Sequence, residues 1–200
     1  MSENLRPQGA HATEDEAWKQ FALHAKSAPS FLTVEECEAV RNDALAVGME
    51  RALVRTGDGL QKSRVRTSDV VRLPRIPERE WLYERILASS AAINSQYWRF
   101  ALTGIDEIQI SRYRPLKHYL WHFDTFPGST RKITFVVNLS SPKTYWRGGL
   151  EIRGRHDNVE TAPLQGSATW FPSYLRHRAK APWFGERWVL VTWLKGPPWT

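Results

Sequence analysis

Apolar residues recur along this chain with two periods, and the change from one to the other divides it. Ala17, Trp18, Phe21, Ala22 and Ala25 are spaced for one face of a helix, which predicts helix over 14–26, ended by Pro29. Thr33-Val-Glu-Glu36 forms a capping box: the Thr33 hydroxyl can accept a first-turn N–H while Glu36 reaches back. The helix it opens is expected to run to about Val47, with Gly48 as its left-handed stop. Residues 49–55 alternate like a strand, 57–61 read as loop, and 62–75 as basic and irregular. Pro77-Glu-Arg-Glu80 suits a first helical turn, with proline near its start and acids against the dipole. Trp81, Leu82, Arg85, Ile86 and Ala92 carry that helix to roughly Gln96.

From there the period is two. Residues 105–114, 119–126, 131–139, 150–153, 168–171 and 187–194 read as strands separated by Gly and Pro turns. Helices followed by a run of strands predict an α+β fold, a sandwich or barrel with helices on one face. The 200 residues suit one domain, 1–200. Residues 1–12 are polar and aperiodic and are expected to fray, 13–98 form mainly helical support plus a strand, and 99–200 form the β core.

Composition adds little except in tryptophan, which occurs ten times. Such a count suits β-rich cores and pocket walls. Cys37 is the one cysteine, so no intrachain disulfide is possible, and its helical apolar setting marks a small buried hydrophobe rather than a nucleophile. No secretory signal is read near Met1, and no apolar run approaches the roughly 20 residues that cross a bilayer. A cytoplasmic protein with no membrane partner is the expectation. The net charge is +7, but the basic residues are spread over two loose clusters, 51–75 and 147–180, without an aromatic-interleaved RNA motif or a recognition-helix pattern.

The candidate chemistry begins at His122-Phe-Asp124. Residues i and i+2 of a strand share a face, so His122 and Asp124 can chelate one ion. Alone the pattern is weak, since two polar residues facing solvent would look the same. His177 follows 55 residues later, beyond a predicted strand and the turn-like Pro172-Ser173. Two histidines and one carboxylate leave open positions on a metal, the arrangement that suits an Fe(II) binding a chelating co-substrate and O₂. Ten residues on, Arg187 opens the apolar strand Trp188-Val-Leu-Val-Thr-Trp193. That setting implies burial, and a buried arginine needs an anion. The distal carboxylate of 2-oxoglutarate would fill the role.

Over roughly 93–197 the chain resembles the prolyl 4-hydroxylase-like branch of the 2-oxoglutarate/Fe(II) oxygenase superfamily. Ile108-Gln-Ile-Ser-Arg-Tyr113 and Tyr119-Leu-Trp-His122-Phe-Asp124 are similar to its metal-strand segment. Gly148-Gly-Leu-Glu151 resembles its Gly-Gly turn, although many prolyl hydroxylases have Glu-Thr after it. Gly166-Ser-Ala-Thr-Trp-Phe-Pro172, His177, Gly185, Arg187, Trp188 and Trp193 fall at the spacings of its closing motifs. The resemblance implies a double-stranded β-helix (jelly-roll) core with supporting N-terminal helices. It also implies iron on His122, Asp124 and His177, and 2-oxoglutarate on Arg187 and Tyr113. Tyr119 would line the substrate side.

The activity so implied is Fe(II)-, 2-oxoglutarate- and O₂-dependent hydroxylation of an unactivated C–H bond. The substrate class is an amino acid, a peptidyl residue or a natural-product intermediate. Halogenases of the superfamily lack the carboxylate that Asp124 supplies. Nucleic-acid demethylases carry their co-substrate arginine about six residues after the second histidine, where this chain has Trp183, so a nucleic-acid partner is not expected. The other class of reading is a non-catalytic β-helix binding protein with an unused iron site. For the substrate walls the sequence suggests Tyr119, Trp146, Trp183 and Arg66, with Arg64 and Arg153 as further anion-binding candidates under a lid near 56–69. A small or peptide-like substrate with a carboxylate and an apolar body is expected. Nothing in the sequence speaks to oligomeric state.

Overall fold

The structure is a computed structural model and describes residues 25–52, 54–56, 59–61, 64–153 and 158–199, with backbone alone at 54–56 and 59–61. Two helices stand before most of the strands. The capping box forms at Thr33, where Glu36 N–H donates to the Thr33 hydroxyl at 3.2 Å and Thr33 N–H to the Glu36 carboxylate at 3.0 Å. It opens α1, Val34–Val47, and Gly48 ends the helix with φ of +98°. A 3₁₀ turn, Pro77–Arg79, leads into α2, Glu80–Tyr97. Cys37 is fully buried in α1, and burial pushes its thiol up to about 11, in keeping with a packing role. Among the described residues no helix is long and apolar enough to cross a membrane.

The strands make two main sheets. β1 (Lys26–Ala28), β2 (Glu50–Arg51), β5 (Asp69–Leu73), β6 (Gly104–Ile105), β7 (Ile108–Tyr113), β9 (Arg131–Asn138), β12 (Ala168–Pro172) and β14 (Arg187–Lys195) form one. Its order is β1-β12-β9-β14-β7-β5-β2, with β6 also on β14. The second sheet has the order β11-β10-β13-β8, from β8 (Tyr119–His122), β10 (Tyr145–Arg153), β11 (Asn158–Glu160) and β13 (His177–Gly185). A separate hairpin joins β3 (Val54–Thr56) to β4 (Gly59–Gln61). This is the α+β jelly-roll arrangement the sequence suggested.

Alternation along the large sheet sorts side chains between two cores. Ile108, Ile110, Ile133, Phe135, Val137, Trp188, Leu190 and Leu194 pack with Leu82, Tyr83 and Ile86 of α2 and Cys37, Val40 and Ala44 of α1. The residues between them, Val136, Val189 and Tyr113, face the second sheet and meet Leu150, Ile152 and Ala179.

Several expected boundaries move. Residues 26–28 are strand, so a helix over 14–26 does not reach its predicted end; residues 14–24 lie outside the described residues. The basic stretch 62–75 is not irregular throughout: Asp69–Leu73 pairs with β7, because Val71 and Leu73 supply apolar residues at period two. The single strand over 49–55 is instead Glu50–Arg51 on β5 and then the first arm of the hairpin. Residues 177–185 form a full strand that the sequence did not suggest. Of the proposed lid 56–69, residues 57–58 and 62–63 lie outside the described residues. Residues 66–67 are tied to the edge of β8 by an Arg66–Tyr119 bridge and by Thr67 N–H donating to the His118 carbonyl at 2.8 Å.

Tyr83 couples α2 to the large sheet. Its buried hydroxyl donates to the Leu73 carbonyl at 2.7 Å and accepts from Ile108 N–H at 2.9 Å, joining the ends of β5 and β7. Tyr83→Phe leaves both backbone groups without that partner. We expect a loss of about 1–3 kcal/mol in chemical denaturation, with an unchanged m-value.

Candidate active site

The cavity between the two sheets has a volume of about 620 Å³. Its floor is the inward set of the large sheet: Gln109, Ser111 and Tyr113 of β7, Thr134 and Val136 of β9, and Arg187, Val189, Val191 and Trp193 of β14. Leu150, Tyr119, His122, His177 and Ala179 line it from the second sheet, and Asp124 joins them.

His122 and His177 are direct partners across β8 and β13. Asp124 lies two residues past the end of β8, so the expected strand over 119–126 stops early. Asp124 N–H nevertheless donates to the Ser173 carbonyl at 3.1 Å, which keeps the side chain on the His122 face. Between the pairs His177↔His122 and Ala179↔Tyr119 the register shifts, with one extra residue in β8. That bulge turns Tyr119 to the same face as His122, and the two rings stack at 3.5 Å and 11°.

The histidine tautomers follow from their neighbours. His122 Nδ1 donates to the Leu120 carbonyl and His177 Nδ1 to the Leu175 carbonyl, each at 2.8 Å, because a carbonyl can only accept. Both Nε2 atoms are therefore free to bind a metal. They lie 3.6 and 3.2 Å from the Asp124 carboxylate oxygens, Oδ1 and Oδ2 respectively. Cis donors around one first-row ion at about 2.1 Å stand about 3 Å apart, so this set fits Fe(II). The three donors are the group of metal-binding type found among the described residues. Thr134 Oγ1 donates to Asp124 Oδ2 at 2.8 Å and lies 3.1 Å from Ser173 Oγ.

Burial alone would raise the Asp124 pKa, but the His177 charge and the close approach of both imidazoles hold it well below the usual carboxylate range. Burial lowers His122. For His177, burial works in the same downward direction, and the Asp124 carboxylate overcomes it and raises the value.

Arg187 is 3% exposed and faces the cavity. It is the direct β-partner of Tyr113, so their side chains project side by side. Among the described residues it has no ion pair with a carboxylate. Arg66 also lines the cavity, and its guanidinium lies over the Tyr119 ring at 4.8 Å. Arg64 and Arg153 are exposed and do not line it.

Trp146 and Trp183 are placed elsewhere. They are 57% and 59% exposed and meet edge to face at 5.4 Å, with Arg147 over both rings. The cause is a second bulge. Between the pairs Arg147↔Pro182 and Trp146↔Phe184, β13 carries Trp183 as an extra residue. Arg147, Gly148 and Gly149 all have positive φ at this kink, and Trp146 turns outward although it shares the parity of Leu150 and Ile152. Sequence reasoning missed Arg72, Gln109, Ser111, Thr134 and Val191 as lining residues. The period-two pattern of β7, β9 and β14 could have supplied all but Arg72.

Residues 108–195, from the start of β7 to the end of β14, match the family model of the 2OG-Fe(II) oxygenase superfamily. A PKHD-type hydroxylase of Crocosphaera subtropica (strain ATCC 51142 / BH68) is 30% identical over 95 residues, covering 45% of this chain and 43% of the relative. The match thus spans less than half of that relative's length. A Pseudomonas putida prolyl-4-hydroxylase superposes with a TM-score of 0.71 at 17% identity, over 86% of this chain and 92% of its own. A Trichoplax adhaerens prolyl hydroxylase, solved with a hypoxia inducible factor peptide fragment, gives 0.73 at 14% identity, over 93% and 94%. At these identities the structural likeness speaks to the fold.

A metal must displace the proton that the raised His177 holds beside Asp124. Below that pKa the proton competes, so metal affinity should fall as pH drops through the raised His177 value and level off above it, where His177 is neutral. Calorimetric titration with Mn(II) in buffers of different ionisation enthalpy should show proton release that grows as pH falls. Thr134→Val should weaken metal binding by about 10–100-fold through loss of the hydroxyl that orients Asp124.

Proposed function

We propose that this protein is a 2-oxoglutarate- and Fe(II)-dependent dioxygenase that hydroxylates an unactivated C–H bond of an amino acid, a peptidyl residue or a natural-product intermediate. The observation that carries this reading is Arg187, a buried cation facing the same cavity as the His122–Asp124–His177 cluster with no carboxylate partner among the described residues. A peptide- or anion-binding protein with an idle metal site would leave the cluster without a role. A five-carbon dicarboxylate spanning from the cluster to Arg187 uses both.

In this reading His122, Asp124 and His177 hold the metal, and Arg187 with the Tyr113 hydroxyl takes the far carboxylate of 2-oxoglutarate. When bound, Fe(II) with 2-oxoglutarate and O₂ supplies the oxidising chemistry for C–H hydroxylation, with succinate and CO₂ as co-products. The chain's contribution is positional. Thr134 holds Asp124, the Leu120 and Leu175 carbonyls hold the imidazoles, and Val136, Val189 and Leu150 give the co-substrate apolar, water-poor walls. Tyr119, stacked on His122, presents its ring toward the substrate side.

Succinate formation dependent on Fe(II), with a substrate gaining one oxygen by mass, tests the activity. Arg187→Ala should raise the KM for 2-oxoglutarate about 100-fold, since a charge-assisted pair in a buried site is removed, while Mn(II) affinity stays near wild type. An unchanged 2-oxoglutarate KM would refute the assignment.

A further inference from the structure

We propose that the cavity floor beyond Arg187 carries a carboxylate subsite, built on Arg66 and Arg72, that anchors an anionic substrate with an apolar body. This deepens the oxygenase reading and rests on it. β14 crosses the cavity floor with Arg187, Val189, Val191 and Trp193 on one face. At about 3.3 Å per residue, Arg187 and Trp193 are about 20 Å apart. Arg72 belongs to the Trp193 end, because it pairs with Gln109, which pairs with Val191. Arg66 reaches Ser111, which pairs with Val189, so Arg66 and Arg72 stand one and two inward positions along the floor from Arg187.

The charges around the cavity are unequal. Arg66, Arg72, Arg131 and Arg187 line it, against one carboxylate among the described lining residues, Asp124. Arg131 is met by Asp106 at 3.2 Å and lies 3.6 Å over Trp193. A divalent metal, Asp124, a dianionic 2-oxoglutarate and Arg187 cancel one another. Arg66 and Arg72 remain, with no carboxylate partner among the described residues. Among the described residues Arg66 donates to the neutral hydroxyls of Ser68 and Ser111, at 3.3 Å each, and Gln109 Nε2 donates to the same Ser111 hydroxyl at 3.1 Å. A cavity that keeps two such cations, half-buried Arg66 and exposed Arg72, suits an anion.

Distance restricts the substrate further. The Arg66 guanidinium stacks at 4.8 Å on Tyr119, whose ring stacks at 3.5 Å on His122. A carboxylate on Arg66 is thus two stacking distances from a metal ligand, and the reacting carbon lies a few bonds from that carboxylate. Val191, Trp193 and Phe126 supply apolar surface beside it. An interior peptide residue without an acidic side chain, flanked by neutral amides, offers no matching charge.

The test uses protein loaded with Mn(II) and saturated with 2-oxoglutarate, so that Arg187 is occupied. It is titrated by calorimetry with 3-phenylpropionate, with 3-phenylpropanamide, and with an acetylated dipeptide bearing either a free or an amidated C-terminus. A carboxylate should bind about tenfold or more tightly than its amide. Preference confined to 3-phenylpropionate supports a small-molecule carboxylate, and preference shared with the peptide acid supports a chain terminus. Arg66→Gln and Arg72→Gln should each erase most of the preference and leave the 2-oxoglutarate Kd unchanged, while Arg66→Lys keeps part of it. Equal affinity for acid and amide in the wild type, or a preference that survives both glutamine variants, overturns the subsite but leaves the oxygenase reading intact. Failure of the wild type to bind 2-oxoglutarate overturns both.

Discussion

In β14, Trp188, Leu190 and Leu194 face the helices while Arg187, Val189, Val191 and Trp193 face the cavity. The site depends on this two-residue alternation, repeated in β7 and β9, because it lets one sheet carry an apolar core on one side and a polar cavity floor on the other. A slip of one residue in β14 would bury Thr192 and Trp188 in the cavity and send Arg187 into the helices. Register is therefore held at several points, among them Tyr83 between β5 and β7 and the pairing of β14 with both β7 and β9. Two bulges then break the alternation where it would misplace a group. The one in β8 brings Tyr119 onto the His122 face. The one at Trp183 carries a tryptophan pair and Arg147 out to solvent.

The metal-binding cluster shows how polar groups are kept in a buried place. Each imidazole gives its Nδ1–H to a carbonyl two residues back, so the ring cannot rotate without losing a hydrogen bond. Asp124 accepts from Thr134 and stands between the two Nε2 atoms. A lone buried carboxylate would take up a proton, and here the neighbouring imidazoles keep it charged. The same arrangement makes the cluster a ready ligand set, since each donor is already oriented toward one point.

Much of this was legible in the sequence, for reasons that are local. His122 and Asp124 two apart, the capping box at Thr33 and the apolar run after Arg187 are short-range patterns whose meaning does not depend on distant chain. His177, Tyr113 and Arg187 were legible as chemistry, and the resemblance to an oxygenase family joined them. What escaped notice was set by pairing between distant strands. The β13 strand carries Pro182 and a bulge, so its alternation is broken in sequence. Arg72 looked like one more residue of a basic loop, and only its place opposite Gln109 brings it to the cavity. Trp146 and Trp183 looked like pocket walls because they follow metal-strand segments, but parity is reset by the kink at Arg147.

The net charge of +7 takes on meaning once the cations are sorted by partner. On the outer faces several are matched: Arg79 with Asp43, Arg85 with Glu36, Arg112 and Arg114 with Asp69, Arg178 with Glu151 and Lys180 with Glu160. Exposed pairs of this kind contribute at most about 1 kcal/mol each and serve mainly to orient loops and helix ends. Inside the cavity Arg131 meets Asp106, but Arg66, Arg72 and Arg187 have no carboxylate partner among the described residues. Arg187 is nearly inaccessible and has no carboxylate partner among the described residues, and a desolvated charge without a counter-ion weakens the fold that contains it. That cost is recovered only when an anion arrives, so a ligand carboxylate binds with the relief of an existing penalty added to its own contacts. By mass action the same ligand stabilises the folded chain. Unpaired arginine in a built pocket is thus a strain held in readiness for a particular charge, and its position, opposite Tyr113 and in the same cavity as the metal-binding cluster, specifies where that charge must lie.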